Sequence, residues 1–208
     1  MIWSKIQDTS LFSAARVQID FDDNMCHKNL HYHNWDHVVS MYQYLVDTKE
    51  PYDEALDWAI LFHDIVYDNK PEKEYRSVQL FDGMVLKYDG FSLDDSERQR
   101  VRKLIMHTEK HVVSTCKGSS AIVRADLHGL ANRLTAFRDF GKIMKESMEL
   151  YGINEIEFAK SSEDFMRGLM FRVGQNVVSD VEHTDFYVDV AHGIETTIKL
   201  SQIIQGKL

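Results

Sequence analysis

Residues 59–67 read AILFHDIVY, an apolar run that carries one histidine and one aspartate, His63 and Asp64. From Asp53 to about Tyr67 the apolar residues cover nearly every side at helical spacing, which predicts a helix at the centre of the fold. Polar side chains inside such a run need a buried partner, because their removal from water is costly. A metal ion is one such partner, and it is the one that implies chemistry.

The rest of the sequence predicts an all-α fold. The 208 residues include only 2 prolines and 10 glycines, so few breaks interrupt regular structure. Apolar residues recur at helical spacing in most segments, and no segment has the alternation of a strand. We expect one helical domain over residues 1–208, with a motif-bearing core at about 28–131 and C-terminal helices at about 135–205 that pack on it.

The expected helix boundaries follow from apolar spacing, caps and breaks. Asn34 is a good N-cap, and apolar residues at helical spacing follow it. The other expected helices cover about residues 10–25, 53–67, 72–87, 93–112, 122–130, 135–150, 155–174 and 192–204.

Charge and motif content exclude several classes of protein. A net charge of −9 argues against a general nucleic-acid surface, since phosphate contacts need clustered Lys and Arg. The sequence has no glycine-rich phosphate loop and no GxSxG motif, which disfavours kinases and serine hydrolases. Cys26 and Cys116 lie far apart and predict free thiols. No apolar run has the length of a signal peptide or membrane span, so we expect a cytoplasmic protein with no membrane partner.

Two imidazoles and two carboxylates occur in an order that suits a metal ion. They are His33 at the start of a predicted helix, the pair His63-Asp64, and Asp126 in an apolar helix. Mixed nitrogen and oxygen donors suit Mg²⁺ or a divalent first-row metal and disfavour a thiolate-bound zinc. Helical bundles commonly build metal sites from several converging helices.

Longer motifs surround these residues: YHNWDHV at 32–38, FHDIVYD at 62–68, EYRS at 74–77, IMHTEKH at 105–111 and ADLHGL at 125–130. Together they resemble the HD superfamily of metal-dependent phosphohydrolases, in particular a small branch found in bacteria and phages. The resemblance covers about residues 28–131. It implies an HD-type helical bundle, a metal held by His33, His63, Asp64 and Asp126, and hydrolysis of a phosphate ester or anhydride.

We expect one divalent metal ion, which could be Mn, Mg, Co, Ni, Zn or Fe. The candidate catalytic residues, which would orient or deprotonate the attacking water, are Asp64, Asp68 and Glu74. The candidate substrate contacts are His37, His111, Arg76 and Lys110. His107 and His111 are four residues apart on a predicted helix and form a possible second metal site.

The expected function is metal-dependent hydrolysis of a small phosphorylated compound, with a nucleotide as the substrate that the resemblance suggests. Two alternatives belong to other classes. One is a non-catalytic HD module that binds a nucleotide or a metal and acts through a partner. The other is an HD-type di-iron oxygenase that uses His107 or His111 at a second metal. A homo-oligomer is possible.

Overall fold

The computed structural model describes residues 3–21 and 30–208 of the chain. These residues form nine α-helices and no strand, which confirms the predicted all-α fold. The helices are α1 Ser10–Phe21, α2 Trp35–Asp47, α3 Glu54–Phe62, α4 Lys73–Lys87, α5 Asp95–Lys110, α6 Ser119–Leu127, α7 Arg133–Tyr151, α8 Glu155–Ser179 and α9 Thr184–Ile204. Short 3-10 helices follow α6 at His128–Ala131 and precede α9 at Val181–His183.

Helix α3 lies at the centre of the fold, as its apolar surface predicts. Every residue after Glu54 is buried, and the helix packs against α1, α2, α4, α5 and α6. Its start is anchored by Asp53, whose side chain accepts the first free backbone N–H groups of the helix. Arg100 of α5 donates to both carboxylate oxygens of Asp53, at 2.7 and 2.9 Å. These hydrogen bonds therefore hold the N-terminus of α3, at the end of the helix opposite to the His63-Asp64 pair.

Helix α3 ends at Phe62, five residues before its predicted end, and that prediction is wrong for two reasons. A ring nitrogen of His63 donates to the carbonyl of Ile60 at 2.8 Å, which satisfies one of the last helical carbonyls. The backbone N–H of Val66 donates to the hydroxyl of Ser77 instead of continuing the helix. The His-Asp pair consequently lies on the turn that follows the helix.

The C-terminal helices are longer than predicted. Helix α8 continues beyond residue 174 to Ser179, and α9 begins at Thr184 rather than near 192. The early start of α9 follows from Tyr187, Val190 and Ile194, which extend its buried face at helical spacing. Helix α9 packs along α8 and also against α7 and the 3-10 helix after α6. The other boundaries agree within a few residues, and residues 22–25 of the first predicted helix lie outside the described ranges.

The structure bears on two predictions made from the sequence: that no segment spans a membrane and that the cysteines are free thiols. Within residues 3–21 and 30–208, no helix combines the length and the apolar character needed to cross a bilayer. Cys116 is a free thiol, and Cys26 lies outside the described residues.

Gly193 permits the close approach of α9 to the segment that follows α6. A Cβ atom at this position would lie 1.9 Å from the backbone oxygen of Leu130, which cannot move away as a flexible side chain would. We predict that Gly193→Ala lowers the free energy of unfolding by about 1–3 kcal/mol through overpacking. The measurement is denaturant unfolding followed by circular dichroism.

Gly174 of α8 is the matched control, because a Cβ there would meet no atom within 4 Å. Gly174→Ala should raise the free energy of unfolding by about 0.5–1 kcal/mol, the usual gain for alanine over glycine inside a helix. Equal effects of the two substitutions would contradict the close packing at Gly193.

Candidate metal centre

Three side chains bring potential metal ligands together beside the end of α3. They are His37 of α2 and the pair His63 and Asp64, whose ligand atoms all lie within 4.8 Å of one another. His37 Nε2 and His63 Nε2 are 3.3 Å apart, and His63 Nε2 is 3.1 Å from Asp64 Oδ2. Both histidines are buried in the fold. We call these three residues the ligand cluster.

Asp126 and His111 extend the ligand cluster from two further segments. Asp126, on α6, has Oδ1 3.2 Å from His37 Nε2 and 3.9 Å from His63 Nε2. Its other oxygen, Oδ2, lies 3.0 Å from Nε2 of His111, at the C-terminus of α5. Two helices and the turns after two others thus converge on one small volume.

The ring orientation of His63 suits metal binding. Its Nδ1 donates to the Ile60 carbonyl, and this hydrogen bond leaves Nε2 facing Asp64 and His37. Metal-bound histidines commonly donate their second ring nitrogen to a carbonyl or carboxylate in this way, which fixes the ring and its tautomer.

The electrostatics of the site favour a positive charge between the carboxylates. Burial raises the pKa of Asp126, but hydrogen bonds from His111 and His37 outweigh it and hold that pKa well below its ordinary value. Burial also raises the pKa of Asp64, and the nearby charge of His63 more than reverses this effect. For His63, burial lowers the pKa while Asp64 and Asp126 raise it, and the result is a pKa of about 9.

A divalent ion fits the geometry and the donor atoms of the ligand cluster. Metal–nitrogen bonds of about 2.0–2.1 Å place two ligands of one ion roughly 2.9–3.4 Å apart at angles of about 90–109°. The separations of His37 from His63 and of His63 from Asp64, at 3.3 and 3.1 Å, lie in this range. Imidazole and carboxylate donors together suit divalent first-row metals.

Asp126 falls outside the group whose ligand atoms all lie within 4.8 Å of one another, although it contacts His37 and His63. His33, which the sequence assigned as a ligand, also falls outside this group. Its Nδ1 donates to Glu146 of α7, and its ring stacks on Tyr67 with the centroids 3.7 Å apart. The structure brings His37 into the cluster, whereas the sequence assigned His37 as a substrate contact. Ligation by His33 stays a prediction, and the distances favour His37.

The remaining predicted site residues fall into two groups. Asp68 and Arg76 bind each other, with Arg76 Nη1 2.7 Å from Asp68 Oδ2, and Arg76 also donates to two loop carbonyls. This pair closes the loop before α4. Glu74 is half-buried, and both burial and the negative charge of Asp64 raise its pKa, so it lies within the electrostatic reach of the cluster.

The second group of predicted site residues lies at the end of α5 and consists of His107, Lys110 and His111. Lys110 is exposed. His107 Nε2 lies 3.3 Å from the hydroxyl of Ser114, whereas His111 contacts Asp126. A second metal site formed by His107 and His111 therefore stays a prediction without a shared contact to support it.

Two residues that sequence reasoning missed hold parts of the site in place. Glu146 accepts the backbone N–H groups of Tyr32 and His33, at 2.8 and 3.1 Å, in addition to the ring of His33. Asn176 of α8 is fully buried, donates to the carbonyl of His111 at 2.8 Å and accepts from the backbone N–H of Val113 at 2.9 Å. His111 has a positive φ of 53°, which is uncommon for a residue with a side chain.

A sequence signal for both residues exists. Glu146 continues the buried face of α7 three residues after Ile143, and Asn176 follows Leu169 and Val173 on the buried face of α8. A polar residue at a core position of an amphipathic helix needs a buried partner. The partner, however, could not be named without the tertiary structure.

Comparison of the chain with models of protein families, with curated proteins and with solved structures finds no match. These comparisons therefore assign no chemistry to the ligand cluster.

The hydrogen bonds of Asn176 generate a prediction about stability. Asn176→Ala leaves the buried backbone groups of His111 and Val113 without partners, so the free energy of unfolding should fall by about 1–3 kcal/mol. Gln175 is the exposed neighbour on the same helix, and Gln175→Ala should change it by less than about 0.5 kcal/mol. Denaturant unfolding measures both, and a loss in Asn176→Ala no larger than in the control would refute the anchoring role.

Proposed function

We propose that the protein is a metal-dependent phosphohydrolase that cleaves a phosphate ester or anhydride of a small phosphorylated compound. One divalent ion would be held by His37, His63, Asp64 and Asp126. The observation that carries this proposal is the convergence of the buried imidazoles of His37 and His63 with the carboxylate of Asp64 at ligand-to-ligand distances. Asp126 is the proposed fourth ligand, because its Oδ1 lies 3.2 Å from His37 Nε2. The resemblance to HD phosphohydrolases, which assigned His33 rather than His37 as the first ligand, adds the reaction class. A nucleotide is the substrate that the resemblance suggests.

When bound, a divalent ion supplies Lewis acidity, which lowers the pKa of water towards about 7 and withdraws electron density from a phosphoryl oxygen. Asp64 is ionised at neutral pH because its pKa is lowered, so it can accept a hydrogen bond from the attacking water. Glu74, whose pKa is raised, is a second carboxyl group near the site that can exchange a proton.

His111 has the features of a substrate contact. Its Nε2 is held by Asp126, and its buried Nδ1 has no hydrogen-bond partner among the described residues. A buried ring nitrogen without a partner is costly unless a ligand or water satisfies it. We therefore assign His111, as an imidazolium in which both ring nitrogens donate, to the binding of a phosphoryl oxygen. This assignment retains its predicted role, and we reassign His37 from substrate contact to ligand.

Substitution of the ligands tests the proposal. His37→Ala and Asp64→Ala should each lose bound metal and lower the turnover of p-nitrophenyl phosphate by about 100-fold or more, because each removes a ligand of the only ion. Metal content is measured by mass spectrometry after dialysis with Mn²⁺, and folding by circular dichroism. His192 is exposed on α9, and His192→Ala is the control that should match the unsubstituted protein.

Specific outcomes would contradict this proposal. Full turnover in Asp64→Ala would refute the phosphohydrolase site. Metal loss in His33→Ala but not in His37→Ala would restore the ligand set predicted from the sequence. Bound metal without hydrolysis of any nucleotide or phosphate ester would favour a non-catalytic binding module. Two irons per chain with the absorption band of an oxidised di-iron centre would favour an oxygenase.

A further inference from the structure

A cavity of about 140 Å³ lies beside the ligand cluster, and we call it the apolar cavity. Its lining begins at the candidate site, with His33, His111 and Asp126, and continues onto the C-terminal helices. The apolar lining comes from α6, α7 and α8 and includes Leu127, Ala136, Phe140, Phe158, Met166 and Leu169. The cavity is therefore continuous with the place where the phosphoryl group would bind.

The walls of the apolar cavity are part of the folded core. The rings of Phe140 and Phe158 pack against each other with centroids 5.3 Å apart, and both side chains are buried. Ala136 and Leu169 are each 1% exposed. A cavity built from such side chains is largely formed before a ligand arrives, which is typical of small-molecule sites.

The charges around the apolar cavity disfavour a chain of phosphates in it. Its described lining contains no Lys or Arg, and its charged groups are the carboxylates of Asp126 and Asp139. Arg138 and Lys142 instead line a different cavity, which is polar and measures about 180 Å³. It shares Tyr32 and Asp139 with the first cavity and reaches His37 of the ligand cluster. Additional phosphates in the apolar cavity would meet negative charge without a compensating cation.

The size of the apolar cavity matches one ring. An apolar protein cavity of about 150 Å³ stays dry and binds benzene. At about 140 Å³, the cavity beside the ligand cluster has room for a six-membered ring or a branched aliphatic group of that size.

We propose that the apolar cavity binds the alcohol part of a phosphate monoester, an aromatic or branched aliphatic group about one ring in size. This inference rests on the proposed phosphohydrolase function, and it replaces the nucleotide that the resemblance suggests with a smaller phosphate monoester. In the reaction, the oxygen of water forms a bond to phosphorus and the bond between phosphorus and the ester oxygen breaks. The alcohol leaves with a proton that derives from the water, and the other product is inorganic phosphate.

The test compares benzyl phosphate with ethyl phosphate, whose alcohols have similar acidity and therefore similar intrinsic leaving ability. With Mn²⁺ present, kcat/KM for benzyl phosphate should exceed that for ethyl phosphate by about 10- to 100-fold, the effect expected from burial of one ring. A nucleoside triphosphate is assayed in parallel, and its kcat/KM should be lower than that of benzyl phosphate. Equal values for the two esters, or a clear preference for the triphosphate, would overturn the proposal.

Two adjacent serines of α8 supply a matched pair of variants. Ser162 lines the apolar cavity, whereas Ser161 is exposed on the same helix. Ser162→Phe should partly fill the cavity and bring the benzyl-to-ethyl ratio of kcat/KM close to one. Ser161→Phe should retain the ratio of the unsubstituted protein. A ratio that survives in Ser162→Phe would overturn the proposal.

The inference and the proposed function can fail separately. If no phosphate ester is hydrolysed with any divalent metal, the proposed function fails, and the cavity is then tested by calorimetric binding of benzylphosphonate and ethylphosphonate. Tighter binding of benzylphosphonate that is lost in Ser162→Phe would support the cavity assignment without catalysis. Equal binding of the two phosphonates would refute it.

Discussion

The charge balance between the partly buried carboxylates of Asp64 and Asp126 and the imidazoles around them is the interaction on which the candidate site depends. Asp64 and Asp126 are ionised inside the fold because His63, His37 and His111 face them at distances of 3.0–3.9 Å. A buried carboxylate without such partners would be strongly destabilising. Each helix around the site therefore contributes either a charged side chain or a hydrogen bond that holds a charged side chain in place.

The C-terminal helices are part of this arrangement and not only an outer layer. Helix α7 supplies Glu146, which fixes the backbone and ring of His33. Helix α8 supplies Asn176, which donates a hydrogen bond to the carbonyl of His111. This bond holds His111, whose backbone φ is positive, beside Asp126. The same two helices form most of the apolar cavity, so they connect the geometry of the ligands to the choice of substrate. The motif-bearing core and the C-terminal segment thus act on one site.

Much of the fold and part of the site could be predicted from the sequence. The apolar surface of α3 predicted its central position. His63 and Asp126 were predicted to meet at one site, and His63 Nε2 lies 3.9 Å from Asp126 Oδ1. The sequence reasoning assigned His33 as the ligand, as the resemblance implies, and His37 as a substrate contact, whereas the measured distances bring His37 into the ligand cluster. The early end of α3 depends on Ser77, and the mutual pairing of Asp68 and Arg76 depends on a loop. These contacts join residues about 8 to 11 positions apart, and helical spacing carries no information about them.

The most direct test of whether these side chains bind one metal ion is a crystal structure of the protein soaked with Mn²⁺. Anomalous scattering is recorded at the manganese edge. We predict one strong peak at about 2.0–2.3 Å from His37 Nε2, His63 Nε2 and carboxylate oxygens of Asp64 and Asp126. A crystal with no peak among these side chains, or with its only strong peak elsewhere, would contradict a metal centre at this position.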